Sequence, residues 1–328
     1  MKKLFHILIL LFIFSCSKHK DSPENQPNLP EASNTSFVIP IFPDTQEAVT
    51  GKMAMFVSQC DWIANKRDSL NIPLALHVGD LVNFDTIPQY QNASNIMKRL
   101  DDRNVPYVIA IGNHDTGAVL PNSGSAAPGN VNANLRNTTK FNSFFPISRF
   151  KLQKGVFEAG KSDNAFHQFT AGAKKWMVIN LEFCARENAV KWADSVISVY
   201  PDYNTIVLTH YHLTPTGEIN TTNAGYGNMK CSDIFNKYLK NHKNLLLVLS
   251  GHVCYAAQRT DVGTQGNTIY SILQNYQCED SGGGYLRLLQ IDTKNGTISG
   301  KMFSPYYNKT KTDASTQFVF SDVKFVGN

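Results

Sequence analysis

The sequence has little charge and no strong excess of either sign. Charged residues make up 17% of the 328 residues, and the formal net charge is +5. Four of the lysines fall within positions 1–20, so the rest of the chain is closer to neutral. Because nucleic-acid-binding proteins concentrate positive charge on one face, the composition carries no nucleic-acid-binding signature.

Long apolar runs, internal repeats and cysteine frameworks are also missing. The apolar stretch at 4–14 is too short to span a bilayer stably. The six cysteines show neither a C-x-x-C zinc motif nor a spacing that defines a disulfide framework. What remains is the composition of a soluble globular protein, 42% hydrophobic, with enough residues for one large domain or two small ones.

The N-terminus predicts export. Lys2 and Lys3 precede the apolar stretch 4–14, an order typical of a signal peptide. The following Ser15-Cys16 resembles the lipobox of bacterial lipoproteins, in which the cysteine receives lipid and becomes the new N-terminus. The alternative is an ordinary cleaved signal with an incidental cysteine. We favour the lipoprotein, with residues 1–15 as signal peptide, Cys16 lipidated and residues 16–36 as a flexible, polar tether.

Short apolar runs alternate with helical periodicity from residue 37 onward, and this alternation indicates a layered α/β fold with buried sheets. The patterns predict strands at 37–42, 73–78, 106–111, 175–181, 205–209, 245–249, 285–291 and 318–320, helices at 53–64 and 189–200, and a further helix that includes 96–100. One domain over 37–328 accounts for them. A stretch at about 116–165, rich in Gly, Asn, Ser and Pro, predicts an irregular insertion, which is either a surface loop or a rim over a pocket.

Side chains that can bind metal follow five of the predicted strands. They are Asp44, Asp80, Asn113, His210 and His252. Ligands in α/β sheets bind beyond the carboxyl ends of the strands, and carboxylate, amide and imidazole groups suit divalent ions such as Mn, Fe or Zn. Two such ions about 3.5–4 Å apart can acidify a shared water and brace an in-line displacement at phosphorus. The pattern therefore predicts phosphoester hydrolysis.

The motifs at these strand ends resemble those of the calcineurin-like metallophosphoesterases. They are G-D-L-V at 79–82, G-N-H-D at 112–115, T-H at 209–210 and G-H at 251–252. The resemblance runs from residue 37 to about 305. It implies an α/β fold, a four-layer αββα sandwich of two mixed sheets, with two metal ions between the strand ends.

The resemblance also implies a role for each matching residue. Asp80 would bridge the two ions, Asp44 would belong to the first site, and Asn113, His210 and His252 would complete the second. His114 would lie near the leaving oxygen, where it orients phosphate or gives a proton, and Asp115 would stand behind it as its orienting partner.

Two departures from the family pattern fall on the same metal site. The usual D-x-H motif is Asp44-Thr45-Gln46 here, and the usual G-H-x-H motif ends in Cys254. Gln46 and Cys254 can reshape the first site as ligands, or leave it weak or empty, or mark a site that has lost catalysis. Cys254 can also lie in a disulfide or be a small buried residue.

The sequence therefore predicts an exported, membrane-anchored bacterial lipoprotein that hydrolyses a phosphomonoester or phosphodiester through a metal-bound hydroxide. We expect one or two divalent ions and an atypical first site. The alternative is a surface-tethered binding protein that kept the fold and lost turnover. The expected partners are a phosphoester of unknown identity and the membrane. The predicted catalytic residues are His114 and Asp115, and the predicted metal ligands are Asp44, Gln46, Asp80, Asn113, His210, His252 and Cys254.

Overall fold

Two β-sheets stacked face to face form the centre of the protein. The computed structural model describes residues 34–121, 126 and 129–327. The predicted signal peptide, the lipidation site Cys16 and the tether up to residue 33 lie outside these residues. Among the described helices, none combines the length and apolarity that crossing a bilayer requires.

The described residues form fourteen strands and seven α-helices. The strands are β1 (Ser36–Phe42), β2 (Ala75–His77), β3 (Tyr107–Ile109), β4 (Gln153–Val156), β5 (Ala165–Ala171), β6 (Lys174–Leu181), β7 (Asn204–Thr209), β8 (Leu245–Ser250), β9 (Tyr255–Val262), β10 (Thr268–Asn275), β11 (Leu286–Asp292), β12 (Thr297–Ser304), β13 (Lys309–Lys311) and β14 (Phe318–Phe320). The helices are α1 (Gln46–Gly51), α2 (Met53–Lys66), α3 (Ile87–Asp102), α4 (Val131–Asn134), α5 (Thr139–Phe144), α6 (Glu187–Val199) and α7 (Cys231–Lys237).

Both sheets are mixed. The first has the order β13-β12-β11-β1-β2-β3, with β14 also paired to β12, and the second has the order β4-β5-β6-β7-β8-β10-β9. In the first sheet β1, β2 and β3 are parallel, and in the second β6, β7, β8 and β10 are parallel. The remaining pairs are antiparallel: they continue the first sheet from β1 through β11 to β13, and they form both edges of the second sheet, β4-β5-β6 and β10-β9.

Three apolar layers hold these elements together. Trp176, Ile41 and Ile272 belong to the cluster between the two sheets. Residues of α2, α3 and α5 pack on the outer face of the first sheet, and residues of α6 and α7 pack on the outer face of the second. Because each sheet buries one face on a helical layer and the other on its partner sheet, the fold is the predicted four-layer αββα sandwich.

The predicted elements are present, with ends that differ by at most two residues, and the helix predicted to include 96–100 is α3 (Ile87–Asp102). Pro88 lies in the first turn of α3, where a missing N–H costs nothing. The insertion at 116–165 is more ordered than expected, because it contains α4, α5 and β4. Its order follows from aromatic packing, since the rings of Phe141 and Phe145 stack in the core against the α3 side of the first sheet.

Candidate metal centre

Five loops meet at the carboxyl ends of the parallel strands. Each one leaves a strand that is buried along its length and therefore fixed in position. The loops after β1, β2, β3, β7 and β8 carry Asp44, Asp80, Asn113, His210 and His252, respectively. The fold therefore gathers the residues that the sequence predicts as ligands, although they span more than two hundred positions of the chain.

Three of these side chains form a tight cluster. Asp80, His210 and His252 each offer a ligand atom, and the three atoms lie within 4.8 Å of one another. His210 Nε2 lies 3.0 Å from Asp80 Oδ2 and 3.2 Å from His252 Nδ1. The backbone N–H of His114 donates to the other Asp80 oxygen, Oδ1, at 3.0 Å.

The carboxylates around this cluster favour a positive charge within it. Burial alone would raise the pKa of Asp80, but the nearby charge of His210 lowers it well below the usual value. Burial would lower the pKa of His210, yet the carboxylates of Asp80 and Asp44 raise it to about 9. His210 Nδ1 lies 2.9 Å from the carbonyl oxygen of Val78, to which it donates, so the extra proton belongs to Nε2, between Asp80 and His252. A divalent cation would take the place of that proton.

Asn113 supplies a buried oxygen that has no donor. Its Nδ2 donates to the hydroxyl oxygen of Tyr226 at 2.8 Å, and this bond holds the side chain in place. Its Oδ1 is buried without a hydrogen-bond partner. An unpaired buried acceptor is costly, and a cation bound with Asp80, His210 and His252 would satisfy it. These four residues fit a divalent ion in number and in donor chemistry.

Two glycines let the loops approach one another this closely. A Cβ atom at Gly112 would lie 2.1 Å from Asp80 Oδ1, and one at Gly251 would lie 2.2 Å from Asp44 Oδ1. Asp80 and His252 themselves adopt left-handed backbone conformations, with φ of 51° and 70°. Such strain in non-glycine residues is typical of functional loops held by their surroundings.

The first site differs from the second in what its residues contact. Asp44 Oδ2 accepts a hydrogen bond from Asn275 Nδ2 at 2.8 Å and another from the backbone N–H of His252 at 3.2 Å. Burial raises the pKa of Asp44 well above its usual value. Gln46 Nε2 lies 3.5 Å from His114 Nε2, and Gln46 Oε1 is buried without a partner. Asp44 thus binds protein donors, whereas Gln46 keeps one acceptor for a cation or water.

The prediction of Cys254 as a metal ligand is wrong. Cys254 forms a disulfide with Cys278, and their Cα atoms are 6.0 Å apart. A sulfur in a disulfide has no thiolate to offer a metal. The sequence left this pairing open as one alternative, and its spacing alone did not identify Cys278 as the partner. The other described cysteines, Cys60, Cys184 and Cys231, are free and buried.

His114 is oriented by a carbonyl group rather than by Asp115. Its Nδ1 donates to the backbone oxygen of Asn83 at 2.6 Å, which leaves Nε2 on the side of Gln46. The carboxylate of Asp115 instead accepts from the backbone N–H groups of Val82 and Gly112. The predicted role of Asp115 as the partner behind His114 is therefore wrong, and Asp115 fastens two site loops together. Burial and the charge of Asp80 raise the pKa of Asp115 to about 7.

Sequence reasoning missed the two residues that orient the predicted ligands through their side chains. Tyr226, in the loop before α7, holds Asn113, and Asn275, the last residue of β10, holds Asp44. Neither lies in a recognisable motif. The only signal for Asn275 was a polar residue at the end of an apolar strand, which is common at strand ends of any function.

Comparison with known proteins places the chain in a family. Residues 43–256 match the calcineurin-like phosphoesterases, and the chain belongs to that family. The strand-end motifs predicted this membership. The sequence is also 28% identical over 273 residues to the uncharacterized protein YvnB of Bacillus subtilis (strain 168). That match covers 80% of this chain and 19% of the relative, so the chain spans about a fifth of the length of the curated protein it matches.

Solved structures show the same fold at low sequence identity. A dimetal phosphatase from Danio rerio superposes with a TM-score of 0.54 and 11% identity, over 88% of this chain and 99% of that chain. The purple acid phosphatase PPD1 from yellow lupin (Lupinus luteus) also gives 0.54, with 14% identity, over 88% of this chain and 54% of that one. These similarities confirm the predicted architecture.

Proposed function

We propose that this chain is an exported, membrane-anchored phosphoesterase that hydrolyses phosphomonoesters or phosphodiesters at a metal centre with one complete and one altered site. The observation that carries the proposal is the cluster of Asp80, His210 and His252, together with the buried and unpaired Asn113 Oδ1 in the loop after the neighbouring strand β3. A protein that only kept the fold would gain nothing from leaving this acceptor without a donor.

The complete site would hold a divalent ion of the Mn, Fe or Zn type through Asp80, Asn113, His210 and His252. An ion held there lowers the pKa of a bound water and neutralises charge on the phosphoryl oxygens. The chain's own residues supply the rest. His114, fixed at Nδ1 by Asn83, presents Nε2 as the atom that donates a proton to the leaving oxygen.

Export is supported by the N-terminal pattern and by the disulfide. Cys254 and Cys278 form a disulfide bond, and such bonds persist in oxidising compartments. The order of a basic dipeptide, an apolar run and Ser15-Cys16 supports lipidation at Cys16. Labelling of expressing bacteria with a clickable fatty acid, with Cys16→Ser as control, tests the anchor. Lipid label that persists in the Cys16→Ser protein would contradict it.

The activity is tested with p-nitrophenyl phosphate and bis-p-nitrophenyl phosphate in the presence of Mn²⁺, Fe²⁺ or Zn²⁺. We expect turnover of at least one ester, and we expect Asp80→Asn to abolish it because Asp80 is the carboxylate of the cluster. Asp61→Asn is the matched control, since Asp61 is an exposed carboxylate paired with Arg99. Turnover that survives Asp80→Asn would place catalysis elsewhere. Absence of turnover with every ion would favour a binding protein.

A further inference from the structure

Protein groups already donate hydrogen bonds to one oxygen of Asp44. Asn275 Nδ2 donates both to Asp44 Oδ2 at 2.8 Å and to the carbonyl oxygen of His252 at 3.0 Å. Asn275 Oδ1 accepts from the backbone N–H of Gln277, so all three contacts agree on which end of the amide is nitrogen. Together with the backbone N–H of His252, this amide gives Asp44 Oδ2 two donors. Asp44 Oδ1 receives only the His252 N–H at 3.4 Å, so this carboxylate offers a cation one oxygen.

The loop that carries His252 is fastened to the end of β10 in two independent ways. The amide of Asn275 holds the His252 carbonyl group, and the disulfide joins Cys254 to Cys278. In a G-H-x-H loop the second histidine would tie the same segment to a metal ion. In this chain, Cys254 occupies the position of that histidine and is bonded to Cys278.

The first site keeps few groups for a cation. Gln46 Oε1 lacks a donor, Asp44 offers Oδ1, and Asp80 is shared with the second site. An amide oxygen, one oxygen of Asp44 and a shared carboxylate bind a divalent ion weakly in the absence of imidazole. The second site, by contrast, has one carboxylate, one unpaired amide oxygen and two imidazoles.

We propose that the chain retains one divalent ion, in the second site, and that Asn275 and the Cys254–Cys278 disulfide hold the His252 loop in place of the missing first-site histidine. This inference rests on the proposed function, because it concerns the metal centre of that hydrolase. It makes Asn275 and the disulfide positioning elements rather than ligands.

The metal content of the chain tests whether it retains one divalent ion. The protein is loaded with Mn²⁺, Fe²⁺ or Zn²⁺ in separate samples, dialysed against metal-free buffer, and analysed by inductively coupled plasma mass spectrometry. We expect one retained ion per chain with the best-held metal. Two retained ions would overturn the inference, and so would none with all three metals, since the second site is assigned as the tight one.

Variants of Asn275 and of the disulfide test whether these groups position the His252 loop. The double variant Cys254→Ser/Cys278→Ser and the variant Asn275→Ala should each weaken metal binding by ~10–100-fold, the range that outer partners of metal ligands contribute. Cys60→Ala, at a buried free cysteine in α2, is the control and should leave affinity unchanged. Circular dichroism checks folding. If affinity stays at the wild-type value in both folded variants, the positioning role is refuted.

The proposed function and the inference of one retained ion can fail separately, because metal content is measured without substrate. A chain that retains one ion but hydrolyses no phosphoester contradicts the proposed function and leaves this inference standing. A chain that turns over substrate and retains two ions contradicts this inference alone.

Discussion

The two sides of the proposed metal centre are built by the same kind of loop, but their polar side-chain atoms make different contacts. On the complete side, His210 and Asn113 each use one polar atom to contact the protein, Val78 O and the Tyr226 hydroxyl, and keep the other for the cluster. Held ligands of this kind need no rearrangement to bind an ion.

On the altered side, the corresponding groups are turned toward other parts of the protein. Asp44 contacts Asn275, and Cys254 is bonded to Cys278. The loop framework is nevertheless the same on both sides, since Gly112 and Gly251 make equally close approaches to Asp80 and Asp44. In this chain, close backbone packing therefore shapes the loops on both sides, although their side chains make different contacts.

The largest difference in turnover is expected between two variants, each of which removes one side chain from one side of the centre. His210→Ala should lower turnover by more than about 100-fold, above the range for loss of an outer partner, because it removes an imidazole from the cluster. Gln46→Ala should lower turnover by less than about 10-fold, since Gln46 belongs to the altered side. Steady-state kinetics and metal content measure both. Equal losses in the two variants would abolish the distinction between the sides.

A smaller effect should follow from releasing Asn113 on the complete side. Tyr226→Phe removes the hydroxyl that receives Asn113 Nδ2, so the amide can rotate and metal affinity should fall by ~10–100-fold. Tyr238→Phe, which removes a hydroxyl bonded to Glu187 at the protein surface, is the control. Isothermal titration with Mn²⁺ or Zn²⁺ gives the affinities. If Tyr226→Phe binds as tightly as the control, Asn113 is held by something other than this hydroxyl.

The smallest effect on rate should come from rebuilding the altered side. The variant Gln46→His/Cys254→His/Cys278→Ser supplies the two imidazoles of the usual motifs and removes the disulfide. We expect it to retain a second ion, with turnover changed by less than about 10-fold, because His210 and His252 are untouched. The control is Gln46→Ala/Cys254→Ser/Cys278→Ser. Equal metal content in the two variants would show that the altered side lacks more than these ligands.

The sequence predicted the fold and the gathering of the site because both follow from local patterns. Strand ends such as Gly79-Asp80 and Gly112-Asn113 place polar groups where a parallel sheet brings them together.

Other features could not be predicted because they depend on contacts distant in the chain. Cys278 is one of several cysteines at unremarkable spacing, and Asn275 lies 231 positions from the carboxylate it contacts. Asp115 was assigned to His114 as its neighbour in the motif, yet its carboxylate accepts from Val82 and Gly112. Side-chain direction within a loop is set by packing, which a motif does not record.

A crystal structure with anomalous diffraction at the edge of the bound metal tests the central claim most directly. The account predicts one strong anomalous peak, within coordination distance of Asp80, Asn113, His210 and His252, with Asp44 still bonded to Asn275. A second peak of equal height beside Asp44 and Gln46 would contradict the difference between the two sides. A peak remote from all four of those residues would contradict the metal centre itself.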